Sequence, residues 1–325
     1  MAKFPSQRKI LYQTGALSND AYTQLTSGSV SGDLNIPKDL SLLNRRGYAS
    51  TTRKGVPLVY RCKVDFYLQN EDGQGLSAAV GTDFAGTLKL DGCQNNWVMR
   101  NAAVKFHAAR HEMFKAAGVK KNHLGAYANE IRYNYDSNAD TWLVPIDGDG
   151  DAFAGGTWDV STLSTERDQD VELKLVGTGI NEDGALSASA IQIGLSYLSS
   201  RAQPPADSNL ESSASPAQYS VLNRLLSPTA QIDTTVDNVV DEAQDKGDNP
   251  PYDEWASADT NHDITEPVEL GRAVAGLGNT YGSMMVDIPF GLARARATVH
   301  DAADTDITPS GLMCVEVLDI FEMQG

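Results

Sequence analysis

Leu58-Val59-Tyr60-Arg61-Cys62-Lys63-Val64-Asp65-Phe66-Tyr67-Leu68 is the stretch whose reading decides the fold class. Leu58, Tyr60, Cys62, Val64, Phe66 and Leu68 fall on one side of an extended chain, with Arg61, Lys63, Asp65 and Gln69 on the other. Successive side chains of a strand point to opposite faces, so this alternation predicts a β-strand with one face in a core and one in water. Asn70-Glu71-Asp72-Gly73 follows directly. Asp-Gly readily adopts the positive φ of a tight turn, so the strand ends there.

The same turn signal returns at Asn181-Glu182-Asp183-Gly184, after Val171, Leu173 and Leu175 and before Ile191, Ile193, Leu195 and Tyr197. Both flanking runs read as strands, and turn chemistry alone accounts for the echo without an internal duplication. Further strands are expected near residues 127–135, 141–146, 232–239, 284–292 and 312–321, about ten in all. The last run is apolar on both faces (Val315, Val317, Leu318, Ile320, Phe321), as in a strand covered on both sides.

Two helices interrupt this pattern. Between residues 96 and 118 Met99, Ala102, Phe106, Ala109, Met113 and Ala116 recur at steps of three and four, and Gly118 marks the stop. A short second helix is signposted by Ser215 as N-cap, Pro216 at the first position and Gln218 completing a capping box, with Pro228 ending it.

Many short strands and few helices predict an all-β body, a jelly-roll sandwich, with two such sandwiches in tandem. Residues 1–55 are Ser-, Thr-, Gly- and Asn-rich with little periodicity and read as an extended basic arm. The first sandwich is expected over 56–200, a Pro- and Ser-rich linker over 201–216, and a second, shorter sandwich over 217–325. Residues 241–269 read as a long acidic loop.

Charge is distributed unevenly. The 325-residue chain carries a formal net charge of −17, yet residues 1–63 hold ten basic side chains against three acidic ones. An acidic body with a basic leading segment suggests contact with a polyanion. The first residues lack the apolar core of a secretory signal, and no run of about 18 apolar residues is present, so a soluble, unexported protein is expected. Cys62, Cys93 and Cys314 show no CxxC pair or zinc spacing and read as free thiols.

Catalytic signatures do not appear. The sequence has no GxSxG, no Gly-Lys-Ser/Thr phosphate loop and no GxGxxG. His107 and His111 lie four apart on the first helix, but Ala108 stands where a zincin needs glutamate. Two segments space acidic oxygens as calcium would want: Asp147-Gly148-Asp149-Gly150-Asp151 and Asp259-Thr260-Asn261-His262-Asp263. Both lack the EF-hand glycine and closing glutamate, so the expectation is limited to a looser structural calcium site on Asp259, Asn261 and Asp263. No other cofactor is expected, and the chain reads as a non-enzyme.

The basic segment ending at Lys63, the alternating first strand, the inserted helix at 96–118, the linker around Pro204 and the apolar closing strand together resemble the coat proteins of small tailless icosahedral phages and related viruses. That resemblance implies one or two jelly rolls per chain and a structural function, self-assembly as trimers or pentamers into a shell within a virion made in the host cytoplasm. The partners it implies are further copies, other virion proteins, and non-specific nucleic acid or an inner membrane. Lys3, Arg8, Lys9, Arg45, Arg46, Arg53 and Lys54 would then face inward and neutralise phosphate without reading sequence. The competing reading is a β-sandwich carbohydrate-binding or hydrolase module with a structural calcium.

Overall fold

The computed structural model of the chain describes residues 7–16, 30–69, 84–120, 130–136, 142–156, 158–164, 170–177, 190–201, 267–276, 279, 281–301 and 310–324. The expected helix at 215–228, the expected strand at 232–239, Lys3 and the proposed calcium ligands Asp259, Asn261 and Asp263 lie outside these residues.

Two four-stranded antiparallel sheets pack face to face. In the first, β1 (Lys9–Ala16), β11 (Ser310–Glu322), β3 (Leu58–Gln69) and β9 (Tyr281–Pro289) run in that spatial order. In the second the order is β2 (Val30–Asn35), β10 (Leu292–Asp301), β4 (Phe84–Gly92) and β8 (Val268–Gly276). The quoted stretch behaves as its alternation requires: Tyr60, Cys62, Val64, Phe66 and Leu68 are buried between the sheets, while Arg61, Lys63, Asp65 and Tyr67 line the outer face.

The two inner faces are unlike. The first sheet brings Tyr12, Tyr60, Val64, Phe66, Met313, Val315 and Val317 inward; the second adds Leu34, Leu88 and Leu90 from β2 and β4, while β8 and β10 contribute only Ala273, Ala275, Ala293, Ala295 and Ala297 beside the partly buried Leu270. Interiors pack to near-crystalline density, so large residues on one layer require small ones opposite. β10 is a strand although alanine has little β-propensity of its own, because it is paired on both sides, with β2 and β4.

Residues 1–55 are not an extended arm over their described part. β1 buries Ile10 and Tyr12, β2 pairs with β10, and helix α1 (Ile36–Asn44) buries Ile36 and Leu40 in the same core. α1 starts where Asn35 accepts the Lys38 N–H at 3.0 Å, and Pro37 suits its first turn. Nor do the described strands divide into tandem sandwiches at the expected boundaries. β11 pairs with β1 and β3, and β10 with β2 and β4, so strands from both ends of the chain build one sandwich.

Between β4 and β8 the chain builds a second hydrophobic centre. It contains helix α2 (Trp97–Ala116), a three-stranded sheet of β5 (Thr162–Ser164), β6 (Asp170–Lys174) and β7 (Ala190–Gln192), and helix α3 (Ile193–Arg201). α2 begins where predicted, with Asn96 accepting the Met99 N–H at 2.9 Å, and buries Met99, Ala102 and Phe106. The run from Ile191 to Tyr197, expected as one strand, turns helical at Ile193, where Gln192 Oε1 caps the Leu195 N–H. Burial of nearly every residue in this run masks its period. Residues 130–136 and 142–146, also expected as strands, carry only isolated bridges.

The join between the two centres is a tight turn. Phe290 and Gly291 both have positive φ, 58° and 69°, between β9 and β10. A Cβ at Gly291 would lie 2.6 Å from Pro37 and 2.9 Å from Tyr60, so only glycine fits. The fully buried Phe290 ring meets Tyr133 edge-on at 5.2 Å.

One side of the sandwich is sealed. Residues 142–146 cross both edge strands, with Leu143 N donating to Asp33 O and Ile146 N to Leu11 O, each at 2.8 Å. α1 fills the gap behind this strap, where the Tyr12 hydroxyl and the Asp39 carboxylate meet at 2.5 Å.

Candidate functional site

The expected basic contact residues are partly gathered. Gln7 N donates to Asn44 Oδ1 at 2.9 Å, and Asn44 Nδ2 donates back to Gln7 O at 3.0 Å. This clasp joins the start of β1 to the end of α1 and so brings Arg8 to the same end of the molecule as Arg45 and Arg46, all three exposed. Arg45 holds φ 48° as the helix C-cap, its N–H satisfying the Ser41 carbonyl. The other members differ: Lys9 pairs with Glu316 at 3.7 Å, and Arg53 and Lys54 sit exposed on a separate turn closed by Thr52. Gly55 of that turn lies against His107 of α2, whose half-buried imidazole is pushed to lower pKa by burial and then by His111 and Arg110. A packed side chain beside the Arg110 guanidinium suits structure better than metal ligation.

Sequence reading missed the charged ladder on the outer face of the second sheet. One row across the strands reads Asp33, Arg294, Asp91, Glu269, and the next Ser31, Arg296, Lys89, Arg272. Arg294 grips the fully buried Asp33 with two bonds, 2.7 and 3.2 Å, and lies over Tyr135. Arg296 and Lys89 both reach Asp91 at 3.1 Å, and Lys89 and Arg272 both reach Glu269. The outer face of the first sheet is also self-neutralised, through Arg61 with Asp287 and Lys63 with Asp65. Burial works to raise the Asp65 pKa, but bonds from Ser283, Lys63 and Tyr281 outweigh it and hold the carboxyl below its usual range. The alternation of charges on β10 was the available signal, hidden by the alanines between them.

Chemically equipped hollows are sparse in the described structure. An open cleft of about 600 Å³ between α2 and β5 is lined by Arg110, Phe114, Glu130, Arg132, Ser161 and neighbours. Arg110 Nη1 already donates to the Glu130 carbonyl, and Arg132 stacks on Trp158 at 4.2 Å. No group of three or more metal-ligating side chains occurs among the described residues. The acidic loop at Asp147 is a turn in which one Asp147 oxygen accepts the N–H groups of Asp149 and Asp151 at 3.0 and 2.9 Å. No helix among the described residues is long and apolar enough to cross a membrane.

Comparison with protein-family models, curated proteins and solved structures finds no match to this chain.

Proposed function

We propose that this chain is a structural subunit that self-assembles into a viral shell, with a single eight-stranded jelly roll as its body. The observation that carries the reading is strand order. Numbered along the chain, the eight sandwich strands lie 1-8-3-6 in one sheet and 2-7-4-5 in the other, the order generated by two Greek keys rolled together. Jelly rolls of this kind serve as walls in capsids and also occur in lectins and cupins, so fold alone does not decide between roles. What favours a wall is the investment in the two broad sheet faces. Their charges are paired in place, and the described hollows hold no assembled catalytic or metal-binding set.

In such a shell the exposed Arg8, Arg45 and Arg46 form a basic corner suited to nucleic acid or an anionic inner surface. The acidic remainder keeps finished particles apart.

The test is the mass and shape of the purified full chain by light scattering and negative-stain microscopy at low and high salt. Trimers, pentamers or closed shells are expected. A strict monomer at every concentration would overturn the proposal and direct attention to glycan and calcium binding.

A further inference from the structure

We propose that α1 is a proton-controlled latch: with the Asp39 carboxyl protonated the helix docks on the sandwich, and with the carboxyl ionised it lifts away, taking Arg45 and Arg46 out of the basic corner. The proposal rests on the fold and holds whether or not the chain builds a shell.

α1 is placed so that it can leave without dismantling its surroundings. It follows the end of β2 at Asn35 and leads into residues 45–57, and none of its residues belongs to a ladder of the two large sheets. Nine residues are too few for a helix to be stable on its own in water, so contacts with the body hold it. These are the burial of Ile36 and Leu40, the Ile36 N–H on the Gly291 carbonyl at 2.9 Å, the Gln7–Asn44 clasp, and the Lys38 ammonium 5.9 Å from the centre of the Trp142 ring. α2, by comparison, spans 20 residues and buries Val98, Met99, Ala102, Ala103, Phe106 and Ala109. Elements with few buried apolar contacts are the ones that open locally.

An acid sits inside this docking surface. The Asp39 carboxyl is fully buried, with one oxygen 2.5 Å from the Tyr12 hydroxyl of β1 and the other without a hydrogen-bond partner. Tyr12 and Lys38 are the titratable groups that act on it, and the Lys38 ammonium is drawn to Trp142 of the strap. Cys62 of β3 lies close to Tyr12, while Tyr60 of β3 and Tyr48, beyond the end of α1, act on one another. Ionisation therefore leaves a buried charge with one oxygen unsatisfied, and lifting α1 brings water to it.

The docked form keeps its proton up to about pH 7, whereas the lifted form releases it near the ordinary carboxylate value of 3.8. Acid thus favours docking. Each pH unit between those values multiplies the lifted-to-docked ratio about tenfold, with a plateau above them.

Hydrogen exchange of the full chain tests this at pH 5, 6, 7 and 8, read by mass spectrometry on peptides covering α1 and α2 and corrected for the chemical rate at each pH. α1 should exchange faster than α2 throughout, and its opening ratio should rise about a hundredfold from pH 5 to pH 8. Asp39→Asn keeps the shape without the titrating proton and should hold that ratio within about threefold over the same range. An α1 that exchanges no faster than α2 opens only with the whole chain, which would overturn the latch. So would an opening ratio that ignores pH in wild type, or one that rises equally in the variant. The wild-type profile decides the first two outcomes by itself, so the test survives a variant that does not fold.

Discussion

Asp39 gives the sharpest physical test of the fold. Its carboxyl is fully buried on α1; one oxygen meets the Tyr12 hydroxyl at 2.5 Å and the other has no hydrogen-bond partner. Burial pushes its pKa up to about 7 from 3.8, against the opposing pull of the Tyr12 hydrogen bond and the Lys38 charge. The unfolded chain releases this proton near the ordinary carboxylate pKa, so between about pH 4 and pH 7 the folded state holds a proton that the unfolded state has lost. Stability from this group therefore falls as pH rises through that window, and the full penalty is present above it. Each unit is worth about 1.4 kcal/mol, which makes the total about 4 kcal/mol and the part recovered between pH 8 and pH 5 about 2 to 3 kcal/mol. Asp39→Asn removes the titration while keeping the shape. Urea unfolding of both proteins at pH 5, 6, 7 and 8 should show wild type gaining about 2 to 3 kcal/mol more than the variant on acidification. Parallel pH profiles would refute the reasoning.

Three further outcomes follow from the packing. Arg294→Ala strands the buried Asp33 carboxylate and should cost about 3 kcal/mol in urea unfolding; a double-mutant cycle with Asp33→Asn should recover part of it. Gly291→Ala puts a methyl into Pro37 and Tyr60 at φ 69°, and should lower stability by about 2 kcal/mol or more, with the loss visible as a lower thermal midpoint. Among the three thiols, half-buried Cys314 should react first with a maleimide in the native state, while Cys62 and Cys93, fully enclosed and raised in pKa by burial, should wait for unfolding; equal rates for all three would contradict the burial described.

How legible this fold is in sequence depends on the size of the inward residues. β3, β11 and α2 announce themselves because Tyr60, Phe66, Val315, Val317, Met99 and Phe106 mark their buried faces strongly. β10 and β8 pass unnoticed because alanine fills theirs, a choice dictated by bulky residues on the opposite sheet rather than by anything local. α1 was readable, with Asn35 at its cap, Pro37 in its first turn, and Ile36, Leu40 and Leu43 at helical spacing. The basic corner was half readable: the charges stand in the sequence, but the Gln7–Asn44 clasp that gathers Arg8 with Arg45 and Arg46 spans 37 residues. The ladder joining Asp33 to Arg294 spans 261, beyond the reach of any periodic argument.

The pairing scheme also fixes the order in which a newly made chain can become a sandwich. All six ladders of the two large sheets join a strand within residues 9–92 to one within 268–322. A ribosome that has delivered the first four strands has therefore made none of their partners, and Tyr60, Phe66 and Val64 stay uncovered until the last strands emerge. The intervening helices and small sheet can settle first. Synthesis of this protein thus leaves a long interval during which the early strands stay unmated, and β11, which pairs with β1 and β3 at once, ends it.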